Sequence, residues 1–99
     1  MPEGAEPSQE ELVAQLEEEL KKLKVSDVLV QTVFTLSSLG FGKLSGEGAD
    51  LEQARLAIES LRALVPVLEG SVPPEAIRDF NQMVANLQLA YAKTASAAS

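Results

Sequence analysis

The stretch that decides the fold is residues 28–42, VLVQTVFTLSSLGFG, in which no side chain is charged. It is shorter than the ~20 apolar residues of a membrane span, and Gln31, Thr35 and Ser38 interrupt it. A helix that is apolar around most of its circumference belongs inside a bundle, with partners on most sides. The stretch therefore predicts a central helix with amphipathic helices wrapped around it.

The same stretch also fits a β-strand, because it is rich in β-branched residues and places Val28, Val30 and Phe34 on one face. We favour a helix because the chain holds no second credible strand, and an unpaired strand leaves its backbone groups unsatisfied. Ser26 or Asp27 is expected to cap this helix and Gly40 to end it.

A glycine-rich loop is expected over residues 40–48. Gly42 and Lys43 are followed by Leu44 rather than Ser or Thr, and no strand precedes them. Both contexts that define a phosphate-binding loop are therefore missing. The sequence predicts a flexible connection here.

The composition limits the chemistry that the chain can perform. Its 99 residues make one domain at most, and they include neither Cys nor His. This excludes disulfides, thiolate nucleophiles, imidazole ligands and the commonest general base near pH 7. A carboxylate-bridged metal site of the Glu-x-x-His type is also impossible without His. We expect no enzyme, no catalytic residue, no metal and no cofactor.

The acidity of the chain lies at its amino-terminal end. The net charge is −7; residues 1–19 contain seven glutamates and no Lys or Arg, so the remaining acidic and basic residues balance. Neither part offers the basic surface that phosphate backbones require, so direct nucleic-acid binding is not expected. The first residues hold no apolar signal-peptide core, which favours a cytoplasmic protein without membrane contact.

The amino-terminal part divides into a disordered acidic tail, residues 1–7, and an amphipathic helical arm, residues 8–24. Ser8 and Glu11 have the spacing of a capping box, so the arm should begin there as a helix. Two heptads are too few for a coiled coil, and the arm is expected to be docked or partly frayed. Its apolar side consists of Leu12, Val13, Leu16, Leu20 and Leu23.

Two further helices complete a bundle domain over residues 25–93. Asp50 should cap the third helix, which Pro66 should bend or end early and Gly70 should close. Pro74 suits the first position of the fourth helix, which is expected to reach Lys93 before a disordered tail, residues 94–99. The two helices should form an antiparallel hairpin. The row of apolar residues along which each helix should pack is called its seam. The seam of the third helix consists of Leu51, Ala54, Ile58, Leu61, Val65 and Leu68, and that of the fourth consists of Ile77, Phe80, Val84, Leu87 and Tyr91.

A second apolar row on the third helix indicates an additional contact. Arg55 and Arg62 lie on one edge of this helix, where they either grip an anionic group of a partner or pair with Glu52 and Glu59. The central helix adds an uncharged strip that includes Gln31 and Ser38. The candidate interaction surface therefore consists of Leu56, Ala63, Val67, Arg55, Arg62, Gln31 and Ser38.

Two segments resemble a small bacterial family that is known only as a domain of unknown function. These are DLEQARLAIESL, beginning at Asp50, and NLQLAY, beginning at Asn86, and the apolar central helix ending in Leu-Gly is similar too. Relatives often carry Asp where this chain has Glu59. The resemblance implies a cytoplasmic, all-helical bacterial protein over roughly residues 25–93 and supplies no activity.

The sequence thus predicts an all-α bundle of four helices around an apolar central helix, with the last two as an antiparallel hairpin. Its excess apolar surface indicates protein–protein association, with itself as a homodimer and with another protein as a further possible partner. The alternative is a binding protein for a small apolar ligand held between helices.

Overall fold

The computed structural model describes residues 8–46 and 48–98, which form four α-helices and no β-strand. The helices are α1 (Gln9–Lys22), α2 (Val25–Leu44), α3 (Leu51–Val67) and α4 (Pro74–Ala98). The predicted all-α fold is therefore confirmed. The acidic tail expected over residues 1–7 lies outside the described residues.

Helices α2, α3 and α4 pack against one another. The α3–α4 pair is antiparallel, because Val65 lies beside Asn81 whereas Arg55 lies beside Tyr91. Helix α2 runs parallel to α4, because Phe34 lies beside Phe80 and Gly40 lies beside Leu87. The rings of Phe34 and Phe80 meet edge-to-face, with 5.7 Å between centroids. Within the described residues, α1 packs against no other helix.

Helix α3 contributes most of the core, and both α2 and α4 pack against it. Helix α3 buries five residues, whereas α2 buries only Val33, Ser37 and Gly40. This differs from the expectation that α2 would be enclosed, because its outer half faces solvent. The main cluster of buried side chains consists of Val33, Ile58, Leu61, Val65, Leu68, Phe80, Val84 and Leu87.

Both ends of α2 differ from their prediction. The helix begins at Val25 after an N-cap at Lys24, which makes no side-chain cap hydrogen bond, so neither Ser26 nor Asp27 is the cap. It passes through Gly40 and continues to Leu44. Gly40 is tolerated there because the neighbouring helices come too close for a side chain. A Cβ atom at this position would lie 2.8 Å from Leu87 Cδ2. The positive φ of 74° that a left-handed turn requires occurs later, at Gly46.

The other boundaries follow the local signals more closely. The Ser8 hydroxyl accepts a hydrogen bond from the Glu11 amide at 3.2 Å, and an Asp50 carboxylate oxygen accepts one from the Gln53 amide at 3.1 Å. Helix α3 contains Pro66 and ends one residue after it. The turn that follows includes Gly70 at a φ of 86°.

The end of α4 differs from its prediction. Pro74 occupies the first helical position, as expected, but the helix continues to Ala98. Residues 94–98 are therefore helical where the sequence predicted a disordered tail. Thr94 and Ala95 in this last stretch are half-buried.

The molecule is elongated because α1 leaves the three-helix body. Its extents are 66 × 36 × 16 Å and its Cα radius of gyration is 19.3 Å, against about 13 Å for a compact domain of this length. Two residues in extended conformation, Leu23 and Lys24, separate α1 from α2.

Candidate interaction surface

The second apolar row of α3 faces solvent. Leu56 and Val67 are 55% and 65% exposed, and Ala63 between them is exposed as well. These three residues lie on the side of α3 away from its buried seam, since they are spaced at helical periods from one another. The row is thus an apolar surface that the described part of the chain leaves uncovered.

The two arginines of α3 lie on a different side of the helix. Arg55 and Arg62 border α4, in depressions shared with Gln88. Arg55 Nε lies 3.2 Å from Glu59 Oε1, and both side chains are largely exposed. An exposed pair of this kind contributes about 0.3–0.5 kcal/mol. The structure therefore separates the arginines from the apolar row with which the sequence grouped them.

The outer face of α2 is apolar and uncharged. Gln31 and Ser38 are exposed on it, as are the larger side chains of Val28, Phe34 and Leu39. Only 17% of the residues in the most apolar part of α2 are buried. A helix of this composition normally buries most of its apolar side chains, so this exposed face is a candidate contact surface.

The apolar rows of α2 and α3 lie on the outer sides of two helices that pack against each other. Ala57 of α3 lies against Gly40 of α2, and this contact fixes which sides of the two helices meet. By helical phase, Leu39 follows on the outer side of this seam on α2, and Leu56 follows on the outer side on α3. We call this surface the α2–α3 face. It comprises Val28, Gln31, Thr35, Ser38 and Leu39 of α2 together with Leu56, Ala63 and Val67 of α3.

Helix α1 carries an apolar stripe that the sequence analysis did not include in the interaction surface. Leu16 and Leu20 are 62% and 64% exposed, and none of the residues of α1 is buried. The sequence showed the stripe but left open whether the arm docks. Only two residues, Leu23 and Lys24, connect α1 to α2. The stripe consists of Leu12, Val13, Leu16, Leu20 and Leu23.

No protein-family model, curated protein or solved structure matches this chain. The resemblance to a bacterial family of unknown function stays a prediction.

The cavities of the described chain are open depressions on its surface. One of about 580 Å³ is lined by α2 residues alone, among them Phe34, Ser38 and Leu39. Two others, of about 270 and 450 Å³, lie between α3 and α4, so the alternative of a small apolar ligand between helices stays a prediction. Among the described residues, no group of three or more acidic side chains is placed to hold a metal ion.

Helix α2 is long and apolar enough, by length and composition, to cross a membrane, and no other helix in the described ranges is. The uncharged stretch of residues 28–42 looked too short for a membrane span, but the helix itself has 20 residues. Its additional residues include the charged Asp27 and Lys43. A core helix of a soluble bundle can meet the same criteria of length and composition, but such a helix is mostly buried, whereas α2 is not. In this structure α2 packs along one side against α3 and α4.

Proposed function

We propose that the protein is a non-enzymatic helical association module and that it forms a homodimer through the α2–α3 face. The observation that carries the proposal is the exposure of two neighbouring apolar rows in a chain of 99 residues. Large apolar patches on a folded monomer are typical of interaction sites. The absence of His and Cys from the sequence supports a role without catalysis.

A second copy of the chain suits the α2–α3 face because the face is self-complementary in character. It carries no charged side chain, so two copies related by a two-fold axis bring no like charges together at its centre. Polar groups such as Gln31 and Ser38 can pair across the axis. The cytoplasmic location predicted from the sequence is consistent with a soluble dimer of this kind.

The apolar area of the face supports a dimer of modest affinity. Full burial of a Val or Leu side chain stabilises by about 1.5–3 kcal/mol. A side chain that is half-exposed in the monomer would therefore gain about 1 kcal/mol on burial in a contact. Val28, Leu39, Leu56 and Val67 would together supply roughly 4 kcal/mol per copy. Association costs of about 4–15 kcal/mol offset much of this gain. We therefore expect dimers at micromolar or higher concentration.

Sedimentation equilibrium of the full chain tests the proposal. We expect a mass of twice 10.5 kDa at micromolar concentration, and a 10.5 kDa monomer throughout would contradict it.

Leu39→Glu should weaken the dimer, because it places a charge within the α2–α3 face. The matched control is Leu89→Glu on the outer side of α4, where the leucine is exposed to a similar degree. Equal losses in both variants would place the contact elsewhere.

A further inference from the structure

Helix α1 carries an apolar stripe that nothing in the described part of its own chain covers. All five large side chains of the stripe are exposed, and within the described residues α1 packs against no other helix. A helix of 14 residues is marginally stable in water by itself, and packing of its apolar side is what stabilises a helix of this length. The stripe is therefore a surface that a partner is expected to cover.

Both edges of the stripe are acidic. By helical phase, Glu17 lies about 90° to one side of the centre of the stripe and Glu19 lies about 70° to the other side. Lys21 and Lys22, the basic residues of the last turn, lie about 130° from the centre, toward the back of the helix. Within the described residues, neither Glu17 nor Glu19 forms an ion pair. The carboxylates beside the stripe are thus available to basic groups of a partner.

The Glu17 edge has a shape that suits a cationic side chain. An open depression of about 400 Å³ on this side of α1 is lined by Gln9, Glu10, Val13, Ala14 and Glu17. It combines the apolar surface of Val13 and Ala14 with two carboxylates. Lys and Arg have an apolar stem and a charged head, so such a side chain can lay its stem against Val13 and its head beside a carboxylate.

Charge argues against the other surfaces that could cover the stripe. Two copies of α1 would pack edge against edge, and since both edges carry glutamate, either direction of pairing brings like charges together. The α2–α3 face holds no basic side chain that could pair with Glu17 or Glu19. A bilayer with anionic lipids repels an acidic helix, and helices that lie on membranes carry Lys or Arg on their polar side. A basic protein surface fits the stripe better than any of these.

We infer that the stripe of α1 binds an apolar groove, rimmed by Lys or Arg, on a protein other than this one. An amphipathic helix laid into an apolar groove is a recurring mode of recognition, and basic groups at the rim would meet the carboxylates of Glu17 and Glu19. Helix α1 is presented for this contact because it leaves the three-helix body. The contact is separate from the α2–α3 face, so one chain can bind a second copy and this partner at the same time.

A synthetic helical hairpin with an apolar groove rimmed by lysine serves as the probe, and the same hairpin with glutamate at the rim is its control. Isothermal titration calorimetry with the full chain should give a dissociation constant at least about 30-fold lower for the lysine hairpin. Leu16→Gln should raise this constant at least about 10-fold, because Leu16 lies at the centre of the stripe. Ala14→Gln, on the back of α1, should change it by less than about threefold. Equal binding of the two hairpins, or equal losses in the two variants, would overturn the inference.

A second pair of variants tests the acidic edges. Glu17→Gln with Glu19→Gln should raise the dissociation constant for the lysine hairpin at least about 10-fold. Glu11→Gln with Glu18→Gln removes the same charge from the back of α1 and should raise it by less than about threefold at about 0.15 M salt, where distant charges are screened. Circular dichroism checks that both variants remain helical. Equal losses would show that the net charge of the chain attracts the probe, and the inference would be wrong.

Sedimentation equilibrium of Leu16→Gln separates this inference from the proposed function. The variant should keep the mass of the wild-type chain, because its α2–α3 face is unchanged. Loss of the dimer in this variant would place self-association on the stripe and overturn the inference. A wild-type monomer that binds the lysine hairpin through Leu16 would contradict the homodimer and support the inference. Binding to phosphatidylserine vesicles that Leu16→Gln abolishes would make a membrane the partner and overturn it.

Discussion

Leu87 and Leu89 lie two residues apart on α4 and have opposite environments. Leu87 is fully buried in the core, whereas Leu89 is 58% exposed. Leu87→Ala should lower the free energy of unfolding by about 2–5 kcal/mol, because it removes buried methyl groups and leaves a cavity. Leu89→Ala should lower it by less than about 1 kcal/mol. Chemical denaturation of both variants measures the contrast, and equal large losses would mean that the outer side of α4 is buried in a subunit contact.

Gly40 and Gly42 allow a second comparison between neighbouring positions of one helix. A Cβ atom at Gly40 would lie 2.8 Å from Leu87 Cδ2 and 3.2 Å from Ala57 Cβ, whereas one at Gly42 would meet nothing within 4 Å. Gly40→Ala should destabilise the fold by about 1–2 kcal/mol, since overpacking exceeds the gain in helix propensity.

Gly42→Ala is the control for this comparison, and it should stabilise the fold by about 0.5–1 kcal/mol through helix propensity alone. Urea denaturation of the two variants gives both values. A stabilising effect at both positions would show that α2 can move away from Leu87 without cost.

At the scale of the elements, the seams of α3 and α4 could be predicted because burial repeats with the helical period. Of the eleven seam positions that the sequence assigned to the two helices, eight are buried, and Leu51, Ile77 and Tyr91 are half-buried. The caps at Ser8 and Asp50 were also predictable, since they depend on residues three positions away.

The ends of α2 could not be predicted in the same way. Gly40 looks like a helix stop from its neighbours in sequence, but the close approach of Leu87 and Ala57 explains its place inside the helix. Tertiary packing overrides local propensity at such positions. The candidate surface could be predicted only in part. The exposure of Leu56 and Val67 follows from their helical phase on α3. The position of α1 could not be predicted, because it depends on a two-residue connection in which no periodic pattern of apolar residues can be read.

Helix α1 should be dispensable for folding of the body. It buries no residue and, among the described residues, packs against no other helix, so few interactions are lost without it. A chain that begins at residue 25 should keep the helical content of α2 to α4 and the thermal midpoint of the full chain. The comparison is made in dilute solution, where both chains are monomers, by circular dichroism. A molten or aggregated truncated chain would show that the arm is structural.

At the scale of the whole molecule, stability should depend on protein concentration. If two copies associate before they unfold, each tenfold increase in concentration favours the folded dimer by about 1.4 kcal/mol, or about 0.7 kcal/mol per chain. For a domain of this size, this corresponds to a rise of up to about 3–5 °C in the thermal midpoint. Scanning calorimetry over two decades of concentration measures the rise.

The truncated chain that begins at residue 25 provides the comparison for this last experiment. It keeps the α2–α3 face and lacks only the stripe of α1, so its thermal midpoint should rise with concentration as much as that of the full chain. A full chain whose midpoint is constant would contradict dimerisation. A rise that is lost with α1 would place the contact on the stripe of α1 instead of the α2–α3 face.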